Sequence, residues 1–322
     1  MNQFRNFISW SLLVIVVGVG IFALANFQSI SDYLRLRNYD PPQRIEKLAD
    51  DTTMDENTRR LFYVNHPQLS DKAEFNSECR TTEESIILGC YVANKGIFLL
   101  DVEEPTLNGV IEVTAAHEVL HAHYDRLSST EREKVDKMTR DFFQNITSER
   151  IKKTIESYRK KDPSIVPNEL HSILATEVGE LSPELEDYYK KYFKDRKKLV
   201  EFSERYEKAF IDLENQAKII ETRLSSLQSQ IDANRSQIDA LSDELDEEKA
   251  RLDELLRNNQ AEEYNSSVDD FNRRVSGYNS LINQTRQLIN QYNDLVAEQH
   301  SLVLRQQELN EAIDSSILKD KR

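Results

Sequence analysis

Three of the chain's six histidines lie between His117 and His123, in the stretch Thr114–Tyr124 that reads TAAHEVLHAHY. On a helix, His117 and His121 stand one turn apart, so both rings leave the same face. Two imidazoles placed that way can each meet a zinc ion at about 2 Å. Glu118 stands about 100° round from His117. That displaces it from the ligand face but leaves it within reach of a water on the metal. Zinc lowers the pKa of such a water, and the glutamate takes the proton as general base. The pattern His-Glu-x-x-His expresses this division of labour. In a chain with six histidines, chance yields it on the order of one time in a hundred. The flanking Thr114, Ala115, Ala116, Val119, Leu120 and Ala122 are uncharged, as expected of a helix that runs buried through an enzyme. His123 falls off the ligand face and reads as a partly exposed surface residue. Asp125, one turn beyond His121, reads as exposed, with a role in orienting a ligand as the alternative.

A zinc site that does chemistry needs a third protein ligand and keeps the fourth position for water. The residues so far resemble the zincin metallopeptidases, whose catalytic helix carries the same pattern among uncharged neighbours. The metzincin branch requires a glycine and then a third histidine soon after the second ligand. Tyr124 and Leu127 occupy the matching positions, which excludes that branch. The gluzincin branch takes a glutamate from a later helix. Here Asn168–Ser172, NELHS, is similar to the asparagine-glutamate motif of thermolysin-like proteases and membrane aminopeptidases. The resemblance implies Glu169 as third ligand. Glu177, eight residues on and nearly on the same face, is the runner-up, and His171 the third choice. The glutamate not used as ligand is then a candidate to orient a zinc-bound imidazole. Ile173 stands where those families place an acid four residues after the ligand. The resemblance spans roughly residues 60–200. It also implies an edge strand that lines the cleft and pairs with an extended substrate.

These residues need elements to hold them. Thr53 stands three residues before Glu56, a capping-box spacing that predicts a short helix. Two β-rich runs, Ile86–Val92 and Ile97–Val102, flank Asn94-Lys95-Gly96 and predict a β-hairpin. Pro105 and Gly109 end it. Helices are then expected over Val110–Leu127, from Ser129 to about Ile146, over Ser148–Lys161, from Pro167 to about Leu181, and from Ser182-Pro183 onward. Beyond Leu185 there is no proline and a single glycine, Gly277. Leu213, Ala217, Ile220, Leu224, Leu227, Ile231, Ile238, Leu241, Leu245, Leu252 and Leu255 alternate steps of four and three, with Asn234 and Glu248 as polar members. A second seam runs through Phe271, Tyr278, Leu281, Leu288, Tyr292, Leu295, Leu302, Leu309 and Ile313, with Thr285, Gln299 and Gln306 as its polar members. Such heptads predict a coiled coil. The break RNNQAEEYNSSVDD between seams of similar length predicts an antiparallel helical hairpin, with a rod that pairs with a second chain as the alternative.

Composition bounds the rest. Only seven Gly and seven Pro in 322 residues favour helix. A formal net charge of −15 repels phosphate backbones, so nucleic acid is not an expected partner. From Phe7 to Phe27 no residue is charged, and SLLVIVVGVGIFALA is almost wholly apolar. That is long enough to cross a bilayer. An uncleaved membrane anchor is the expectation. Cleavage as a signal peptide after Ala23–Ala25 is the alternative, which would release a secreted chain. Both put the bulk of the chain outside the cytoplasm, where Cys79 and Cys90 are expected to form a disulfide.

The expected fold class is α+β and mainly helical. Residues 1–30 form the anchor, 31–52 a juxtamembrane linker, 53–195 a zincin-like domain with a small sheet, and 196–322 the coiled-coil hairpin. The expected activity is zinc-dependent peptide hydrolysis, with His117, His121 and Glu169 holding Zn2+ and Glu118 as base. Expected partners are the membrane, a protein or peptide substrate, and a protein bound through the coiled coil. The rival reading is a retired zinc domain that serves as a scaffold at the cell envelope.

Overall fold

The computed structural model describes residues 26–79 and 88–315. The chain is mainly helical with one small sheet, and it divides into two units. One comprises residues up to Ala209 together with those from Leu309 onward, and the other spans Phe210–Glu308. The apolar stretch Phe7–Ala25 lies outside the described residues. Among those residues no helix is long and apolar enough to cross a membrane.

The first unit begins with helices α1 (Phe27–Leu36), α2 (Gln43–Asp51) and α3 (Glu56–Val64). Residues 31–52, expected as a linker, are therefore largely helical and in part interior. Ile45, Leu48 and Ala49 of α2 join the main core with Leu61 and Phe62 of α3. Three apolar side chains on one face of a polar segment were too few to stand out as a pattern. The capping box expected at Thr53 is not formed. Asp55 caps α3 by accepting from the Thr58 amide at 2.7 Å. Thr53 instead adopts a left-handed φ of 56° and bonds to Asp195.

Strand β1 (Gln68–Ser70) and helix α4 (Lys72–Glu78) precede the hairpin of β2 (Gly89–Val92) and β3 (Gly96–Leu100). The described strands are shorter than the runs expected, and residues 80–87 lie outside the description. The sheet has order β1-β3-β2, with β1 parallel and β2 antiparallel to β3. A three-residue strand carries too little alternation to be read from sequence, and β1 was missed for that reason. β3 is buried throughout while β2 forms an edge. Cys79 and Cys90 are disulfide-bonded, which ties the end of α4 to β2.

Four helices follow α5 (Val110–Asp125): α6 (Ser129–Phe143), α7 (Glu149–Lys161), α8 (Val166–Glu177) and α9 (Pro183–Tyr189). Ser128, Ser148 and Ser182 cap α6, α7 and α9, and Ser128 with Glu131 forms a full capping box. Helix α10 (Arg196–Arg257) starts inside this unit, where Leu199, Val200 and Phe202 are buried. Arg196 is itself buried. Its guanidinium donates to the carbonyls of Ala175, Val178 and Gly179 and pairs with Glu186, closing the carboxyl end of α8.

The second unit is a helical hairpin of α10 and α11 (Ala261–Ile313). Asn259 turns the chain with a left-handed φ of 56°. The Asn259 amide bonds to Leu256 O and the Gln260 amide to Leu255 O, the paired bonds of a Schellman end. Only this Asn-Asn pair makes the turn, and Asn265-Ser266-Ser267 lies within α11. The first seam is shielded at each expected position, with Ile220, Ile231, Leu245 and Leu252 buried. In the second, Leu295, Leu309 and Thr285 are buried, whereas Gln306 is exposed. Arg274 of α11 pairs with both Glu244 and Glu248 of α10, which gives seam position 248 its partner.

Candidate metal centre

Gly109 opens α5 with a left-handed φ of 108°. A Cβ there would also lie 2.6 Å from the Phe202 carbonyl oxygen, so the start of the helix packs where only glycine fits. Ten of the sixteen α5 residues are buried, including Ala115, Ala116, Val119, Leu120 and Ala122. The small side chains let α8 approach closely. Proline at position 167 suits the first turn of α8, where amides have no helical partner.

The approach of α5 and α8 brings His117, His121 and Glu169 together. One donor atom from each lies within 4.8 Å of the other two. His117 Nε2 is 3.4 Å from Glu169 Oε2, and His121 Nε2 is 3.6 Å from Oε1. Two features fit this set to a cation. His121 Nδ1 stands 2.9 Å from the Asn168 Oδ1, an acceptor, so Nδ1 carries the proton and Nε2 keeps its lone pair for a metal. Glu169 Oε2 is buried and, beyond the 3.4 Å approach of His117 Nε2, has no well-formed hydrogen bond, a position that a cation would complete. Burial works against the Glu169 charge, but His117, His121 and Tyr158 outweigh it and hold the carboxyl below its ordinary value. Two imidazoles and a carboxylate with room for water are a donor set that suits zinc.

Of the sequence alternatives, Glu177 is not in the cluster. It pairs with Arg150 at 2.7 Å, and Arg150 in turn pairs with Glu207. His171 turns into the core, fully buried, with Nε2 3.1 Å from the Tyr188 hydroxyl. Ile173 is buried, and the task expected of an acid there falls to Asn168, with Ser172 Oγ 3.4 Å from the same nitrogen. His123 is half-buried rather than a surface residue, 2.9 Å from Thr58 Oγ1 and packed on Tyr192. Asp125 stays exposed, its carboxylate facing the Tyr91 hydroxyl.

Glu118 is 5% exposed and lies beside His117 and His121 against β2. Burial pushes its carboxyl up to about 7. The Glu169 charge adds to the rise, while His121 and a hydrogen bond from the Tyr91 amide oppose it. Gly89 makes this close packing possible. A Cβ at position 89 would lie 2.5 Å from Thr114 Cγ2 and 2.8 Å from Glu118 Cγ. The ladder register explains the Tyr91 contact. Leu100 N donates to Leu88 O, so Leu88, Cys90 and Val92 face β3. The backbone groups of Gly89 and Tyr91 then face the open edge.

A cleft of about 410 Å³ opens over these groups, lined by β2, by His117, Glu118 and His121, and by Tyr158, Asn168 and Glu169. Tyr158 went unnoticed in the sequence, since one tyrosine on a charged helix carries no signal of its own. No protein-family model, curated protein or solved structure matches the chain.

Proposed function

We propose that the chain is a membrane-anchored, extracytoplasmic zinc metallopeptidase of the gluzincin type. What carries this reading is the convergence of His117, His121 and Glu169 beside a buried Glu118, at an open strand edge. His117, His121 and Glu169 would hold the ion. Zinc bound there supplies Lewis-acid polarisation of a carbonyl and acidifies water. Asn168 keeps His121 in the tautomer that can ligate. Glu118 removes a proton from water in the cleft and delivers it to the leaving amine, and its raised proton affinity suits both steps. The outward backbone groups of Gly89 and the Tyr91 carbonyl would receive an extended peptide as an added strand, while the Tyr91 amide stays with Glu118. Tyr158, at the cleft wall, is the candidate to donate to the developing oxyanion. A scaffold that has lost its chemistry has no need of a buried carboxylic acid beside its metal ligands.

The test uses the full chain in detergent. Metal content and cleavage of casein are measured for the wild type and for Glu118→Gln. One equivalent of zinc in both, with hydrolysis in the wild type alone, is the expected result. Zinc without hydrolysis in the wild type would leave the scaffold reading in its place.

A further inference from the structure

Helix α1 has two unlike faces. Its inner face is fixed to the metal-site unit. Asp32 forms a two-pronged pair with Arg126 at 2.8 Å, at the end of α5. Burial works against the Asp32 charge, but Arg126 and Gln28 outweigh it and hold the carboxyl below its ordinary value. Arg35 donates to Val64 O and to the Asn94 and Lys95 carbonyls, the turn that joins β2 to β3. The outer face carries Phe27, Ile30, Tyr33 and Leu34, exposed by 69, 40, 63 and 60%. Among the described residues of this unit, these four are the only large apolar side chains so exposed.

The spacing 27, 30, 34 is one helical stripe, widened by Tyr33 and ending at the exposed Arg37. An apolar stripe with aromatic members and a terminal arginine is the composition of a helix that lies in a bilayer interface. What covers it follows from the chain itself. Phe27, the first residue of α1, is the last of the uncharged apolar run that starts at Phe7. If that run is in the membrane, as proposed above, α1 starts at the bilayer surface with its apolar face unclaimed by the protein.

We infer that α1 lies flat on the bilayer, with Phe27, Ile30, Tyr33 and Leu34 in the headgroup region. The inference rests on the anchor reading of the N-terminus. Asp32 and Arg35 then couple the lipid surface to the end of the metal helix and to the turn of the cleft strand. The cleft is held at a set height above the membrane rather than on a loose tether.

The experiment places a single tryptophan on this face. Trp10, the chain's one tryptophan, is changed to Phe. Phe27→Trp, Ile30→Trp and Leu34→Trp are then made one at a time in the full chain, reconstituted into phosphatidylcholine vesicles. Lipids brominated near the headgroup end of the acyl chain serve as quenchers. A helix lying flat gives blue-shifted emission and quenching that agrees within about twofold at all three positions. A helix that leaves the membrane end-on lifts position 34 by about 10 Å over position 27. Quenching would then fall from 27 to 34 and end the proposal. Blue-shifted emission that lipid does not quench would mean that a second copy or another protein covers the face, and would equally overturn it. Chain that fails to float with vesicles would instead remove the anchor reading itself, and this inference with it.

Discussion

The hairpin and the metal-site unit were built from the same alphabet, yet they were not equally readable. In the hairpin each seam residue repeats the role of the one seven positions earlier. Its register is confirmed by many equivalent side chains, so one exposed Gln306 changes little. In the metal-site unit, each position is used once. Gly89 clears space for Glu118, Asn168 orients His121, and Gly109 meets Phe202. Each such contact joins residues tens of positions apart, and no period announces it. Redundant structure is legible throughout, while the contacts that support the site are not.

That contrast predicts where single substitutions act. The largest effects belong to the site. His117→Ala and Glu169→Ala should lose the metal altogether, as read by metal analysis of purified protein. Glu118→Gln should keep it and lose ~10²–10⁴-fold in hydrolysis. Leu252→Ala, a buried seam residue, should change neither quantity. Loss of metal from Leu252→Ala would break the comparison at once.

Next comes Gly89→Ala. Its Cβ must displace Thr114 or Glu118, at a cost of about 1–3 kcal/mol in stability. Activity should fall further than metal binding does, because the base moves more than the ligands. Chemical denaturation beside a casein assay measures both. Asn168→Ala should weaken zinc binding by ~10–100-fold in chelator competition. Glu177→Ala should leave that affinity unchanged, since its partner is Arg150 and not a ligand.

A smaller effect, of opposite sign, is expected in the hairpin. Asn234 sits on the seam, and Asn234→Leu should stabilise the hairpin by about 1 kcal/mol. Hydrogen exchange of α10 amides would register this, and faster exchange would show that Asn234 has a buried partner. The smallest effect is at Glu186. Hydrogen bonding to Arg196 holds its carboxyl below the ordinary value, with burial acting the other way. The ionised form therefore adds stability above about pH 4 that fades as pH falls through the lowered pKa. The difference in thermal midpoint between wild type and Glu186→Gln should shrink below about pH 4. A difference that stays constant down to pH 3 would show that packing, not charge, is responsible.

Part of the site was open to sequence reasoning for a physical reason. His117, Glu118 and His121 share one helix, and helical geometry fixes their mutual placement without help from the rest of the fold. Glu169 and Glu177 could not be separated in that way. They lie near one face of α8, and only the position of Arg150 and the approach of α5 divide them. Tyr158 needed α7 to be docked before it meant anything. The linker expected over residues 31–52 failed for a similar reason. Ile45, Leu48 and Ala49 are few, and their burial depends on a core assembled from distant helices.

The disulfide gives the cleft a history as well as a shape. Cys90 lies between Gly89 and Tyr91 on the strand that borders Glu118, and its bond to Cys79 holds that strand to α4. Such bonds close in oxidising compartments and stay open in a reducing cytoplasm. On the proposed function, a chain made in a reducing compartment would have His117, His121, Glu169 and Glu118 in place before the disulfide fixes the strand beside them. For such an exported peptidase, competence to cut would arrive with export, and the synthesising cell would need no separate inhibitor to guard its own proteins. Casein cleavage by the Cys79→Ser, Cys90→Ser double variant measures how much of that safeguard is real, and an undiminished rate would remove it.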